Sequence, residues 1–170
     1  MSRVTIALAF AWSTAHLSSP QMDRMVKLTE LQSVTEPLAF SNPSLGVKGT
    51  IRPIPGDRLQ IIVLTLGDSP IEAEVGQFTL ISVGGVLYEP IAVGGGADLI
   101  FPIDRLPLGQ EVGQILPSDA IVSVKRVSRT IVTLEADPRA TLAFVYELPE
   151  GSAMRALRLP DGSELAVSAR

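Results

Sequence analysis

Two packed antiparallel β-sheets, built from seven to nine strands behind a short apolar N-terminal segment, are the all-β fold that the sequence predicts. From Met25 onward, short apolar runs are cut by Gly, Pro, Asp and Asn at intervals of about ten residues, the rhythm of a sandwich or barrel. No long helix fits between these breakers. Hydrophobic residues make up 46% of the 170 residues and charged residues 19%, a balance that favours a packed core over disorder. That length suits one domain of roughly 130–150 residues with a short appendage. The expected division is residues 1–24 as the appendage and 25–170 as the sandwich.

The appendage is the run Val4 to Trp12, VTIALAFAW, preceded by Arg3 and followed by Ser13-Thr14-Ala15-His16. A single positive residue, an apolar stretch and small residues near Ala15 suit a cleaved signal peptide. The run is too short to span a bilayer, since a crossing helix needs about 20 apolar residues. Retained, it would serve as a membrane or partner anchor through Val4, Ile6, Leu8, Phe10 and Trp12, the indole suiting a membrane interface. A third reading is an ordinary buried first element. Signal peptide and anchor alike place the remainder outside the cytoplasm, in the periplasm or at the cell surface.

Within the sandwich, Val26-Lys27-Leu28-Thr29-Glu30-Leu31 alternates with a rough period of two, as a half-buried strand does. The stretch from Ser41-Asn42-Pro43-Ser44 to Gly49 reads as loop, and Pro53-Ile54-Pro55-Gly56-Asp57 as a tight connection. Arg58 to Leu66 is the strongest strand, nearly continuous in hydrophobicity and rich in β-branched residues, as at a sheet centre. After the turn Gly67-Asp68-Ser69-Pro70, the runs 78–83 and 86–88 read as a hairpin around Gly84-Gly85. Gly94-Gly95-Gly96 reads as flexible loop. Strands are expected over 121–127, 130–134 and 140–148, and the chain closes with Ala156 to Leu159, the turn Pro160-Asp161-Gly162 and Glu164 to Val167.

The succession GDRLQIIV at Gly56, GDSP at Gly67, FTL at Phe78, GVLYEP at Gly85 and FVYELPEG at Phe144, then Leu157-Arg158-Leu159, resembles a bacterial family. This is the family of immunoglobulin-like extracellular or lipoprotein domains related to immunoprotective extracellular antigens. The resemblance covers about residues 26–167. It implies an immunoglobulin-like antiparallel β-sandwich, exported and usually without enzymatic activity, and it offers no catalytic residues. Two departures stand out: the lipobox cysteine common among such proteins is absent, and residues 111–140 look like an insertion carrying extra strands.

Chemistry is sparse. The chain has no cysteine and its one histidine is His16, so thiolate sites, a cysteine nucleophile, a His-based triad and a multi-His metal site are excluded within one chain. Gly94-Gly95-Gly96-Ala97-Asp98 lacks the Lys-Ser/Thr ending and the following helix of a phosphate loop. Glu89, Asp98 and Asp104 together are a conceivable Ca²⁺ set, although polar turn residues explain them equally well. Glu72/Glu74 and Glu135/Asp137 are pairs at i and i+2, which share one face of a strand and more often mark its solvated side than an acid–base site. No cofactor is expected.

The formal net charge of −4 speaks against nucleic acid as a partner. The one basic cluster, Lys125-Arg126 with Arg129, reads as a solvated strand face. The leading expectation is therefore a non-catalytic structural or interaction domain docked on another protein, as an extrinsic accessory subunit of a membrane complex. Residues 1–20 would be its tether, and the 111–140 insertion and the Pro/Gly-rich loop 90–109 its contact surface. The competing expectation is a small-ligand or carbohydrate-binding module. That reading needs exposed aromatic rings, and Tyr88 and Tyr146 both fall in strands.

Overall fold

The run Asp57–Leu66, DRLQIIVLTL, is apolar at consecutive positions, so a fold that buries it has to cover both of its faces. A computed structural model describes residues 26–42, 46–96 and 100–167 and shows how this is done. Its strands are β1 (Val26–Val34), β2 (Leu38–Asn42), β3 (Val47–Ile51), β4 (Asp57–Leu66), β5 (Ile71–Glu74), β6 (Thr79–Ser82), β7 (Leu87–Tyr88), β8 (Ala92–Gly94), β9 (Ile100–Pro102), β10 (Glu111–Ile115), β11 (Ile121–Arg126), β12 (Val132–Ala136), β13 (Thr141–Pro149), β14 (Met154–Arg158) and β15 (Glu164–Ala166). Every strand pairing is antiparallel. The protein is an all-β sandwich.

One layer is the sheet β1-β4-β13-β8-β9. Facing it are two shorter sheets, β10-β11-β12-β5 and β15-β14-β6-β7, linked where β5 passes through a 3-10 turn at Val75–Gln77 into β6. The main core lies between: Ile62, Leu64, Phe144 and Tyr146 from the large sheet meet Val122, Val124 and Leu134 from one short sheet, and Leu80 and Leu157 from the other. Phe78 and Phe144 stack at its centre, ring centroids 4.4 Å apart. The Tyr146 hydroxyl donates to the Phe78 carbonyl at 3.0 Å, giving this buried phenol its partner. Burial pushes the Tyr146 phenol well above its ordinary value of 10.0, because the phenolate would be stranded in an apolar medium.

The other face of the large sheet has a core of its own. Leu59, Ile61 and Val63 of β4 and Ala143 and Val145 of β13 are covered by Leu38 and Ile51 of the β2–β3 hairpin. Continuous hydrophobicity in β4 thus reports a strand covered from both sides. β1 uses a different device. Its pairing with β4 skips a residue between Leu28 and Glu30, and that bulge lets Leu28 and Leu31, three apart in sequence, both pack on the main core.

Three expectations are corrected. The seven to nine strands become fifteen among the described residues: nine are of five residues or more, and the other six are of two to four. The supposed loop at 41–49 belongs largely to the β2–β3 hairpin, in which Gly49 lies opposite Phe40. A Cβ on Gly49 would come within 2.8 Å of the Phe40 ring, so the ring covers the glycine and supplies the missing side-chain contact. The turn after β6 is three residues long, not two. Gly85 N–H closes it on the Ser82 carbonyl at 3.0 Å, and only Gly85, at φ 81°, occupies the left-handed region.

Residues 111–140 contain three strands that are built into the sandwich. These strands, β10, β11 and β12, pair on to β5 and place Val112, Val122, Val124, Val132, Leu134 and Ala136 in the main core. Along β10 and β12 burial alternates residue by residue, so the opposite face of this sheet is left to solvent. No helix among the described residues is long and apolar enough to cross a membrane.

Candidate functional site

Four arginines from three separate parts of the chain line one groove of about 500 Å3. Arg52 follows β3, Arg105 sits in the 3-10 turn Ile103–Arg105, Arg126 ends β11, and Arg129 lies in the turn between β11 and β12. Ile51, Ile91 and Ile103 add apolar lining, and Asp104 and Glu147 are the carboxylates.

Arg126 holds the site together. Its Nη1 donates to the carbonyls of Asp104 at 3.0 Å and Leu106 at 3.3 Å, its Nη2 to that of Arg129 at 3.1 Å, and its Nε to that of Ser128 at 3.3 Å. One side chain thereby fixes both the turn that carries Arg105 and the turn that carries Arg129. Neutral carbonyls satisfy its donors without cancelling its charge. The Arg105 guanidinium lies over the Phe40 ring, 5.5 Å from the centroid, a cation–π contact that holds the group on the rim. Glu147 Oε1 accepts the Ile54 N–H at 2.7 Å, which commits one of its oxygens to the chain before β4.

Ion pairs among the described residues join Arg139 to Asp68, and Arg155 and Arg158 to Glu164. None involves a groove arginine. Four guanidinium groups against two carboxylates leave the groove locally positive on a chain of net charge −4. Its chemistry is that of binding anionic groups: guanidinium forks pair with carboxylates in a planar, bidentate manner.

The sequence places Lys125, Arg126 and Arg129 together on a solvated face. Lys125 is exposed, whereas half-buried Arg126 turns back on the backbone and Arg129 joins the groove. Arg52 and Arg105 were not anticipated. Neither has another basic residue next to it in sequence, and only the packing of the β2–β3 hairpin against β9 brings them to Arg126.

A larger groove, about 970 Å3, runs between β1 and the β14–β15 edge. Its guanidinium is already engaged: Arg58 donates to Ser33 Oγ, to Gln60 Oε1 at 3.0 Å and to the Ser152 carbonyl at 2.7 Å. It ties three parts of the chain together and leaves less of its fork to a ligand than Arg52, Arg105 and Arg129 do.

The remaining candidates separate. Gly94 and Gly95 are buried rather than flexible. Gly94 pairs with Ala143 and Ile100, and Gly95 N–H donates to Gln114 Oε1 at 2.8 Å. A Cβ on Gly95 would meet Leu116 Cδ2 at 2.5 Å, so that glycine answers to packing. Glu72 and Glu74 lie on the outer face of β5, and the register sets Glu72 directly opposite Glu135. Asp137 Oδ2 accepts the Ile121 N–H at 2.9 Å. Among the described residues no three His, Cys, Asp or Glu side chains gather to hold a metal; Asp98 of the suggested Ca²⁺ set lies outside them, as do Val4, Ile6, Leu8, Phe10, Trp12 and His16. Tyr146 is fully buried, and half-buried Tyr88 packs on the edge of the main core.

Comparison with protein-family models, with curated proteins and with solved structures finds no match. The fold and site define an antiparallel β-sandwich with a guanidinium-lined groove where the end of β3, the 3-10 turn Ile103–Arg105 and the β11–β12 turn meet.

Proposed function

We propose that this chain is a non-catalytic interaction domain that docks on a protein partner outside the cytoplasm, as an accessory subunit on a membrane complex. One observation carries the reading. Of the ten large hydrophobic residues exposed among the described ones, Leu108, Ile115, Ile121, Val127 and Ile131 fall within 108–131, the stretch that also carries Arg126 and Arg129. Leu108 and Ile115 are 66% and 73% exposed. The register divides them: Leu108, Val127 and Ile131 lie at the Arg126 end of the β10–β11–β12 sheet, and Ile115 and Ile121 pair at its other end. Exposed apolar side chains beside arginine, as at the first end, match the composition of protein interfaces. The segment Val4 to Trp12 is the tether in this reading, and the family resemblance supplies the extracytoplasmic setting.

The test is to solubilise native membranes in mild detergent, sediment the protein, and map crosslinks by mass spectrometry. A complex of defined stoichiometry with crosslinks from 108–131 is expected, and Leu108→Asp with Val127→Asp should release the chain. Sedimentation as a lone monomer in every cellular fraction overturns the reading.

A further inference from the structure

We infer that the groove between Arg52, Arg105 and Arg129 receives an acidic, partly apolar segment of extended chain from that protein partner, an inference that rests on the docking reading above. Among the described residues, these arginines have no carboxylate within ion-pair distance. Two of the three are positioned in advance. Arg105 is laid over Phe40, and the turns bearing Arg105 and Arg129 are held by the bonds from Arg126 to the Asp104, Leu106 and Arg129 carbonyls. Fixing these groups before association lowers the ordering cost of binding.

The rest of the lining narrows the class of ligand. Ile51, Ile91 and Ile103 favour alternating apolar side chains, as an extended peptide presents them. Asp104 and Glu147 oppose the dense charge of phosphate groups more than single carboxylates spaced along a chain. The −4 net charge repels a long polyanion from the molecule as a whole. A short acidic segment feels the local arginines over a Debye length of about 8 Å at physiological ionic strength.

The probe is a fluorescein-labelled short peptide of alternating glutamate and leucine, titrated with the full chain and read by anisotropy. Its affinity should fall about tenfold or more in Arg52→Glu with Arg129→Glu, and similarly at about 0.5 M NaCl, where charges are screened within a few Å. Lys27→Glu with Arg139→Glu, an equal change of charge elsewhere, should leave it unchanged. Arg52→Ala with Arg129→Ala, checked by thermal unfolding, guards against misfolding of the reversal variant and should show the same loss in weaker form. Equal binding of the glutamine–leucine peptide, or tighter binding of an oligonucleotide, overturns the inference. The two readings fail separately. A native complex that tolerates Arg52→Glu with Arg129→Glu sinks the acidic contact and spares docking, whereas peptide binding without any native complex supports the groove and sinks docking.

Discussion

The large sheet and the β10-β11-β12-β5 sheet are both antiparallel and both feed the main core, yet they are written in different sequence patterns. β4 and β13 are apolar at consecutive positions because the main core lies on one side and the β2–β3 hairpin on the other. β10 and β12 alternate strictly because only one face is covered. The doubly covered strands keep little free surface, and they reach the grooves only near their ends, through Arg58 and Gln60 of β4 and Glu147 of β13. The singly covered sheet keeps an outer face and two ends, and the groove arginines, the opposed glutamates and half of the exposed large hydrophobic residues lie on or beside it.

The contrast is broken most severely by Phe144→Ala in β13. Losing the stacked partner of Phe78 should cost about 4 kcal/mol in denaturant unfolding, whereas Thr133→Ala in β12 should stay within about 0.5 kcal/mol. Equal effects would deny that the two sheets differ. Next comes Ile61→Ala beneath the hairpin, expected to cost about 3 kcal/mol. If the hairpin were only loosely laid on the sheet, the loss would be nearer that of a surface change.

Alkaline unfolding sharpens the comparison through Tyr146. Its folded-state pKa is raised above the unfolded value of about 10, so the protecting effect is complete below pH 10. Above that the unfolded chain releases a proton that the folded one keeps, and stability falls by up to about 1.4 kcal/mol per pH unit. Tyr146→Phe should show a shallower alkaline decline than the parent; identical slopes would mean that the phenol is not sealed in the core. The smallest effect belongs to Glu135→Lys. Placing a cation opposite Glu72 should raise stability by about 0.5 kcal/mol, and that gain should disappear in high salt.

The fold class was legible in the sequence because strands report their burial directly: the runs at 58–66, 121–127 and 140–148 coincide with β4, β11 and β13 to within two residues at either end. What escaped were the strands whose stability comes from neighbours. Residues 41–49 read as loop because Ser41, Asn42 and Gly49 are turn-forming types, and the pairing of β2 with β3 depends on Phe40 covering Gly49 and on the apolar face of β4 beneath. The groove was hidden for a related reason. Arg52 and Arg105 are 53 residues apart and bear no spacing signature, and they meet only because the hairpin lies next to β9. Arg126 looked like part of a solvated face because nothing in its local sequence reveals that four carbonyls await it.

The β2–β3 hairpin also bears on how the chain behaves before it is finished. Until it closes, Leu59, Ile61, Val63, Ala143 and Val145 form an uncovered, flat apolar face on paired strands, the kind of surface on which nascent chains stick to one another. The hairpin lies in the chain between β1 and β4, so it emerges during synthesis before the surface it must shield. The order of the sequence thus provides the cover first and the hazard second, a built-in guard against aggregation during biogenesis.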